Sequence, residues 1–158
     1  MICIGSEKIV LRSVDSSDID TILLWENSSA EPLYGVYDEE YTREDVAQFV
    51  ENQQRYSLAE NEQLRLMICS HEGERLGCID LSYYDGRKAF VSILIFDLHN
   101  RRKGFGSEAL QLLISYAKSL GMRSLYANIL PENFPSVSLF KKLGFEAVDE
   151  VLYCKKFQ

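Results

Sequence analysis

No run in this 158-residue chain approaches the length and apolarity of a membrane span, and its first ten residues, MICIGSEKIV, have neither the basic region nor the apolar stretch of a secretory leader. A cytoplasmic protein without a membrane partner is therefore the expectation. Only four cysteines are present, Cys3, Cys69, Cys78 and Cys154, and they are far apart with no C-x-x-C pair. That spacing argues against both a disulfide scaffold and a zinc site, so no metal is expected, and Cys69 and Cys78 read as core thiols. There is no internal repeat, low-complexity tract or linker, and one domain over residues 1–158 is expected. With 46% hydrophobic and 26% charged residues, the chain has the balance of a globular protein.

A net charge of −7 argues against general nucleic-acid binding. Its distribution says more than its sum. From Asp15 to Glu62 there are thirteen acids and two bases, Arg43 and Arg55, a local balance of −11 that leaves +4 for the remainder. One half repels anions while the other collects them, which would suit a cationic ligand beside a phosphate-bearing one. Acids decorating exposed helix faces would give the same count.

Periodicity places the elements. Ile9 to Arg12 reads as a strand, and Asp15-Ser16-Ser17-Asp18 as a capping cluster before a helix carried by Ile19, Ile22, Leu23 and Trp25-Glu26 to about Ser28. Glu31 to Tyr41 reads as a working loop. Thr42 caps a second helix with Val46, Phe49, Val50 and Tyr56 on its apolar side. Strands over Leu64 to Ser70, Arg75 to Tyr84 and Ala89 to Phe96, separated by Glu72-Gly73 and Asp85-Gly86, predict an antiparallel meander. A helix from Gly104 to Leu120 then leads to a strand over Ser124 to Leu130, parallel to its partner. Pro131 and Pro135 precede a helix from about Ser136 to Leu143, which Gly144 ends before a last strand from Phe145 to Cys154.

The segment between the third meander strand and its helix is Arg101-Arg102-Lys103-Gly104-Phe105-Gly106. A strand, a glycine-bearing turn and a helix N-terminus gather unpaired backbone N–H groups and the positive end of the helix dipole at one point. Three cations stand beside them. Gly104 and Gly106 lack a Cβ, so the backbone can close on a ligand there. A pyrophosphate suits that pocket. No third glycine completes G-x-G-x-x-G, and no Gly-Lys-Ser/Thr makes a P-loop, which leaves R-x-x-G-x-G. A basic surface turn before a helix would look similar.

A second segment, Asn133-Phe134-Pro135-Ser136-Val137-Ser138-Leu139-Phe140-Lys141-Lys142-Leu143-Gly144-Phe145, follows that loop. Together, in this order of strands and helices, the two resemble the GCN5-related N-acetyltransferase (GNAT) family, and the N-terminal half is similar to its branch of ribosomal-protein and spermidine acetyltransferases. The resemblance implies a mixed α/β fold: a central twisted, mostly antiparallel sheet, splayed near the cofactor, with helices on both faces. It also implies direct transfer of an acetyl group from acetyl-CoA to a primary amine: a polyamine-like small molecule, an amino-sugar or a protein N-terminus. By that analogy the N–H groups of Arg102, Lys103, Gly104, Phe105, Gly106 and Ser107 hold the pyrophosphate, and Arg101 beside them is a further cofactor-binding residue. Ile95, Phe96 and Leu98 offer backbone groups to the pantetheine arm, and Asn133 and Ser136 meet the cofactor from the second segment. Dimers are frequent in that family, so a homodimer is an expectation of the same kind.

Where the family commonly has a tyrosine that protonates the departing thiolate, this chain has Phe140, cast instead as a wall of the cofactor channel. A phenyl ring donates no proton. Asp80, Tyr83 and His99 are candidates for proton transfer by residue type, with Tyr84, Tyr153 and Cys154 nearby on strands. Trp25, Glu26, Glu31 and Tyr34 are the candidates for contact with the acceptor, and Glu39 and Glu40 join Glu26 and Glu31 as attractors of a cation. The missing hydroxyl also leaves open a non-catalytic acyl-CoA-binding or regulatory module of the same fold.

Overall fold

Alternation within the strands decides how this chain folds, because it gives one sheet two apolar faces. In a computed structural model that describes residues 1–28 and 40–158, β3 (Leu64–Ser70) turns Leu66 and Ile68 to one core and Met67 and Cys69 to another. The same holds across the meander with β4 (Arg75–Ser82) and β5 (Lys88–Ile95). These strands pair antiparallel, as the Asp85-Gly86 turn led us to expect. Among the described residues the sheet has eight strands, completed by β1 (Cys3–Gly5), β2 (Ile9–Ser13), β6 (Ser124–Asn128), β7 (Glu146–Ala147) and β8 (Leu152–Lys156), in the order β1-β2-β3-β4-β5-β6-β8-β7.

Helices cover both faces. The long α4 (Phe105–Ser119) buries Ala109, Leu110, Leu113 and Ala117, and α5 (Phe134–Lys142) buries Phe140, in the larger core. On the other face α1 (Ile19–Ser28) and α2 (Arg43–Arg55) contribute Ile19, Ile22, Trp25, Val46 and Val50 to the smaller one. Between α2 and β3 lies one turn of helix, α3 (Leu58–Asn61). Among the described residues no helix is long and apolar enough to cross a membrane.

Two details correct the sequence reading. The stretch from Phe145 to Cys154 is not one strand but the hairpin of β7 and β8, because the Asp149 side chain accepts from the N–H groups of Val151 and Leu152 and reverses the chain. Tyr56 does not join the buried side of α2: it follows the last turn and is exposed. Thr42 does cap α2, sharing a reciprocal capping box with Asp45. Within the Glu31 to Tyr41 loop, Glu31, Tyr34 and Glu39 lie outside the described residues. Its last residue, Tyr41, exchanges two hydrogen bonds with the Asn27 side chain at the end of α1.

Among the described residues the only parallel pair is β5 with β6, and it is short. Lys88, Ala89 and Phe90 pair with Ser124, Leu125 and Tyr126, after which β5 continues to Ile95 on β4 alone while β6 continues to Asn128 on β8. The sheet therefore splits beyond Phe90.

Orientation of α1 rests on Asp18, which ends a short 3-10 turn (Ser16–Asp18) and is wholly buried. Its carboxylate accepts from Arg12 of β2 at 2.7 and 2.8 Å, from Arg75 of β4 at 2.7 Å and from the Asp15 N–H at 2.9 Å. Burial alone would raise its pKa, but those donors prevail and bring it to about 2. The folded-state pKa is depressed, so the stability it confers is present above the unfolded value near 4 and is lost as pH falls toward 2. Asp18→Asn should abolish a loss of roughly 2 kcal/mol between pH 5 and pH 2, read from urea unfolding at each pH. Parallel pH profiles for the two proteins would refute that assignment.

Candidate active site

The site forms where β5 leaves β6. Phe96 donates its N–H to the Leu76 carbonyl at 3.0 Å, so alternation along β5 turns the backbone groups of Ile95 and Ile93 away from β4, toward the gap. The Ile95 carbonyl is already engaged there, accepting from Arg101 Nε at 3.1 Å. Ile95 thus faces the position expected for a pantetheine arm, whereas the Phe96 N–H is committed to β4. The Phe96 ring stacks on Trp25 with centroids 5.6 Å apart. Trp25 is accordingly buried in the smaller core, not presented to an acceptor.

After a 3-10 turn (Leu98–Asn100) the chain enters the basic loop, with Arg102 at φ 63° and Gly104 at φ 85°. Two left-handed residues in three bend the backbone into a concave turn that converges N–H groups, and only the second is the residue type that suits the conformation. Gly104 is the N-cap of α4; its carbonyl takes the Glu108 N–H at 3.0 Å, and no side chain caps this end. The N–H groups of Phe105, Gly106 and Ser107 precede that first helical bond, so they lack acceptors within the helix. Arg101, Arg102 and Lys103 are exposed around them. Packing alone does not require glycine at position 106. It is helical, and a Cβ there would meet Leu139 and Ile93 side chains at 3.5 and 3.7 Å, ordinary contact between α4, α5 and β5. Leu98, in the turn, is exposed.

Across the gap, Asn133 caps α5, its side chain accepting from the Ser136 N–H at 3.4 Å. Both the cofactor role and the simple capping role foreseen for an asparagine here use that exposed position. Phe140 is 2% exposed and packs edge-on to Phe145 with centroids 4.9 Å apart. Its ring is a core residue under the helix, which is what the structure gives it in place of an open channel wall.

The smaller-core face carries a cleft of about 440 Å3 beside the gap. Its floor includes Asp80 and Ser82 of β4, which pair with Ser92 and Phe90 of β5 at the point of splitting. Glu26, Tyr41, Asp45, Glu62 and Arg65 stand around it, with Tyr83 at the rim. Arg65 organises this wall. Its side chain is 6% exposed, lies with Cζ 5.0 Å from the centre of the Phe49 ring, and clamps Asp80 through Nε and Nη2 at 2.9 Å each. The remaining arm, Nη1, reaches Glu26 Oε1 at 2.8 Å. Burial works against the guanidinium charge, but Asp80 and then Glu26 outweigh it and keep the group protonated.

Asp80 therefore does not point to solvent, as an exposed strand carboxylate would. It is spent as the anchor of Arg65. Glu26, 21% exposed, is the more accessible carboxylate of this network at the cleft. Tyr83 sits at φ 52° and is 76% exposed, its ring edge-on to Phe90. His99 is exposed in the turn before the basic loop and is not part of the cleft lining. Tyr153 is core, Tyr84 half-buried, and Cys154 buried. Cys78, beneath the cleft face, is pushed up to about 12 by burial even with Arg65 nearby, and Cys69 is raised for the same reason, so neither is a ready thiolate.

Sequence reasoning missed Arg65, whose partners are 15 and 39 residues away, and Tyr126, the last paired residue of β6 before the gap. Tyr126 stacks near Phe90 and its phenol is held above its usual range by Cys154. No local pattern marks either residue.

Comparison with known proteins follows this geometry. A sequence profile described as an acetyltransferase (GNAT) domain matches residues 8–146. The chain is 23% identical over 141 residues, 88% of its length, to the uncharacterized protein MJ1062 of Methanocaldococcus jannaschii, but spans only 28% of that longer protein. It is 25% identical to the uncharacterized N-acetyltransferase YnaD of Bacillus subtilis, over 89% of this chain and 81% of that one. Among solved structures, spermidine N-acetyltransferase from Vibrio cholerae, crystallised with CoA and spermine, superposes with a TM-score of 0.76 over 94% of each chain at 16% identity. With the profile covering most of the chain and the split sheet, basic loop and α5 all in place, the chain belongs to the acetyltransferase (GNAT) domain family, whose cosubstrate is acetyl-CoA.

Proposed function

We propose that this protein moves the acetyl group of acetyl-CoA directly to a primary amine that carries positive charge and enters through the cleft. The observation that carries this reading is the cleft lining, in which four carboxylates, Glu26, Asp45, Glu62 and Asp80, accompany one guanidinium beside the split in the sheet. In the smaller-core face Arg65 is shared by two of them, so one guanidinium is set against two carboxylates. An amine is attracted there as its ammonium ion. The relative crystallised with spermine supports a cationic acceptor by analogy.

In the reaction the pyrophosphate of acetyl-CoA lies on the N–H groups of the basic loop, and the pantetheine arm runs along the open edge of β5 as an added strand. The N–H of Ile95 or Ile93 polarises the thioester carbonyl. An alkyl ammonium with a pKa near 10 first loses a proton to water or to a cleft carboxylate. The neutral amine then attacks the carbonyl carbon, the C–S bond breaks with its electron pair leaving on the CoA sulfur, and the nitrogen releases its second proton through water to that thiolate, giving the amide and CoA. A thiol has an ordinary pKa of about 8.5, so its thiolate departs without the hydroxyl that Phe140 lacks. Positioning and carbonyl polarisation carry the rate.

Phe140 also favours a second reading, a CoA-binding module that does no chemistry. Thiol release from acetyl-CoA separates the two across a panel of polyamines, basic peptides, protein N-termini and amino-sugars. Release with a cationic acceptor supports transfer; saturable CoA binding with no release from any of them supports the module. Glu26→Gln should raise KM for a cationic acceptor about tenfold and leave KM for acetyl-CoA within twofold. An equal rise for a neutral amino-sugar would remove charge as the basis of recognition. Gly104→Val should weaken CoA binding about tenfold by calorimetry, since a β-branched residue at φ 85° disrupts the loop. Unchanged affinity would place the phosphates elsewhere.

A further inference from the structure

We propose that Lys8, delivered by the β1–β2 turn, is a phosphate-contacting residue of the acetyl-CoA site, and that Glu108 is the positioning residue that seats it there. This rests on the reading that the basic loop holds the cosubstrate's phosphates, and adds a contributor from nearly one hundred residues earlier in the chain.

The turn is built onto the start of α4. Ser6 N–H donates to the Ile9 carbonyl at 2.9 Å and closes it, while His71 Nε2 lies 2.8 Å from the Ser6 carbonyl on its other side. Glu108, in the first turn of α4, binds it twice through one oxygen: Oε1 accepts from Ser6 Oγ at 2.6 Å and from the Lys8 N–H at 3.0 Å. The Lys8 side chain then crosses to the basic loop, where Nζ donates to the Lys103 carbonyl at 3.1 Å and lies 3.4 Å from where a Cβ on Gly104 would stand. An ammonium has three donors, and that carbonyl uses one. Lys8 is thus a fourth cation at the N-cap of α4, the point on which the unbonded N–H groups of Phe105, Gly106 and Ser107 converge.

Glu108 makes sense only with this turn in place. A carboxylate in the first turn of the helix would otherwise compete with a phosphate for the same dipole. Held by Ser6 and the Lys8 backbone, its charge is engaged at the turn and its geometry fixes the root of the Lys8 side chain. Lys8 reaches the loop because Glu108 holds its backbone against α4.

The test is calorimetric binding of CoA and of dephospho-CoA, which lacks the 3′-phosphate, to the full chain and its variants at several salt concentrations. Lys8→Met should weaken CoA binding roughly fivefold to tenfold and flatten its salt dependence, and Lys8→Arg should recover most of the affinity. If Lys8 meets the pyrophosphate, the loss is equal for dephospho-CoA; if it meets the 3′-phosphate, the loss vanishes with that ligand, and either result supports phosphate contact. Glu108→Ala should weaken CoA binding less than Lys8→Met and add nothing to it in the double variant, while Glu108→Gln, which retains the accepting oxygen, restores affinity. An affinity for CoA within twofold of the parent in Lys8→Met would overturn the inference alone. Equal losses in Lys8→Met and Lys8→Arg, or a parent-like salt dependence in Lys8→Met, would reduce Lys8 to a packing contact and overturn it as well. Failure of the unmodified chain to bind CoA at all would overturn it together with the proposed function.

Discussion

A strand that loses its neighbour halfway along must find other partners for its backbone, and β5 is in that position. It is held on one side by β4 from Phe90 to Ile95 and on the other by β6 for three residues only, Lys88 to Phe90. Unpaired strand edges invite pairing with whatever extended chain is offered, and most proteins cover them. Here the open edge is internal to the sheet, walled by β6 and α5 beyond it and by α4 behind, so the partner admitted must be narrow. A pantetheine arm, with its two amides, is the partner that the proposed function puts there. The basic loop at the end of β5 and the cleft on the opposite face of the sheet are both located by this single divergence.

Two buried ion networks fix the helices that frame the cleft, and they are arranged differently. Asp18 is one carboxylate serving two arginines and a backbone N–H, and it joins β2, β4 and the start of α1. Arg65 is the inverse, one guanidinium serving two carboxylates, and it joins β3, β4 and the end of α1. Buried pairs of this kind seldom add stability over well-packed apolar groups, because desolvation offsets attraction. What they add is orientation. The first network saturates its acid and leaves nothing for a ligand, while the second leaves Glu26 with charge to spare at the cleft wall.

Local chemistry was legible in the sequence wherever the determining residues were close together. The Asp85-Gly86 turn, the Thr42 cap, the apolar stripe of α4 and the strand before the basic loop needed only neighbours within a few positions, and the structure bears them out. The paired motifs gave the family. What could not be read was set by distance along the chain: the clamp of Arg65 on Asp80 and Glu26, the burial of Trp25 against Phe96, and the arrival of Lys8 beside Gly104. The Phe145 to Cys154 stretch failed for the opposite reason. A run of strand-forming residues concealed a turn that depends on one aspartate side chain, Asp149, accepting two N–H groups.

Arg102 carries a consequence of its own. A side chain other than glycine in the left-handed region costs on the order of 1 kcal/mol, and this loop contains one such residue two positions before the left-handed Gly104. That energy is committed when the protein folds, before any cosubstrate arrives. On the proposed reading of this loop as the pyrophosphate site, its shape is set before any ligand arrives, and an incoming pyrophosphate displaces water without having to reshape the backbone. Capture is then governed by the rate of encounter, which the surrounding cations accelerate, and residence by how well the preset donors fit.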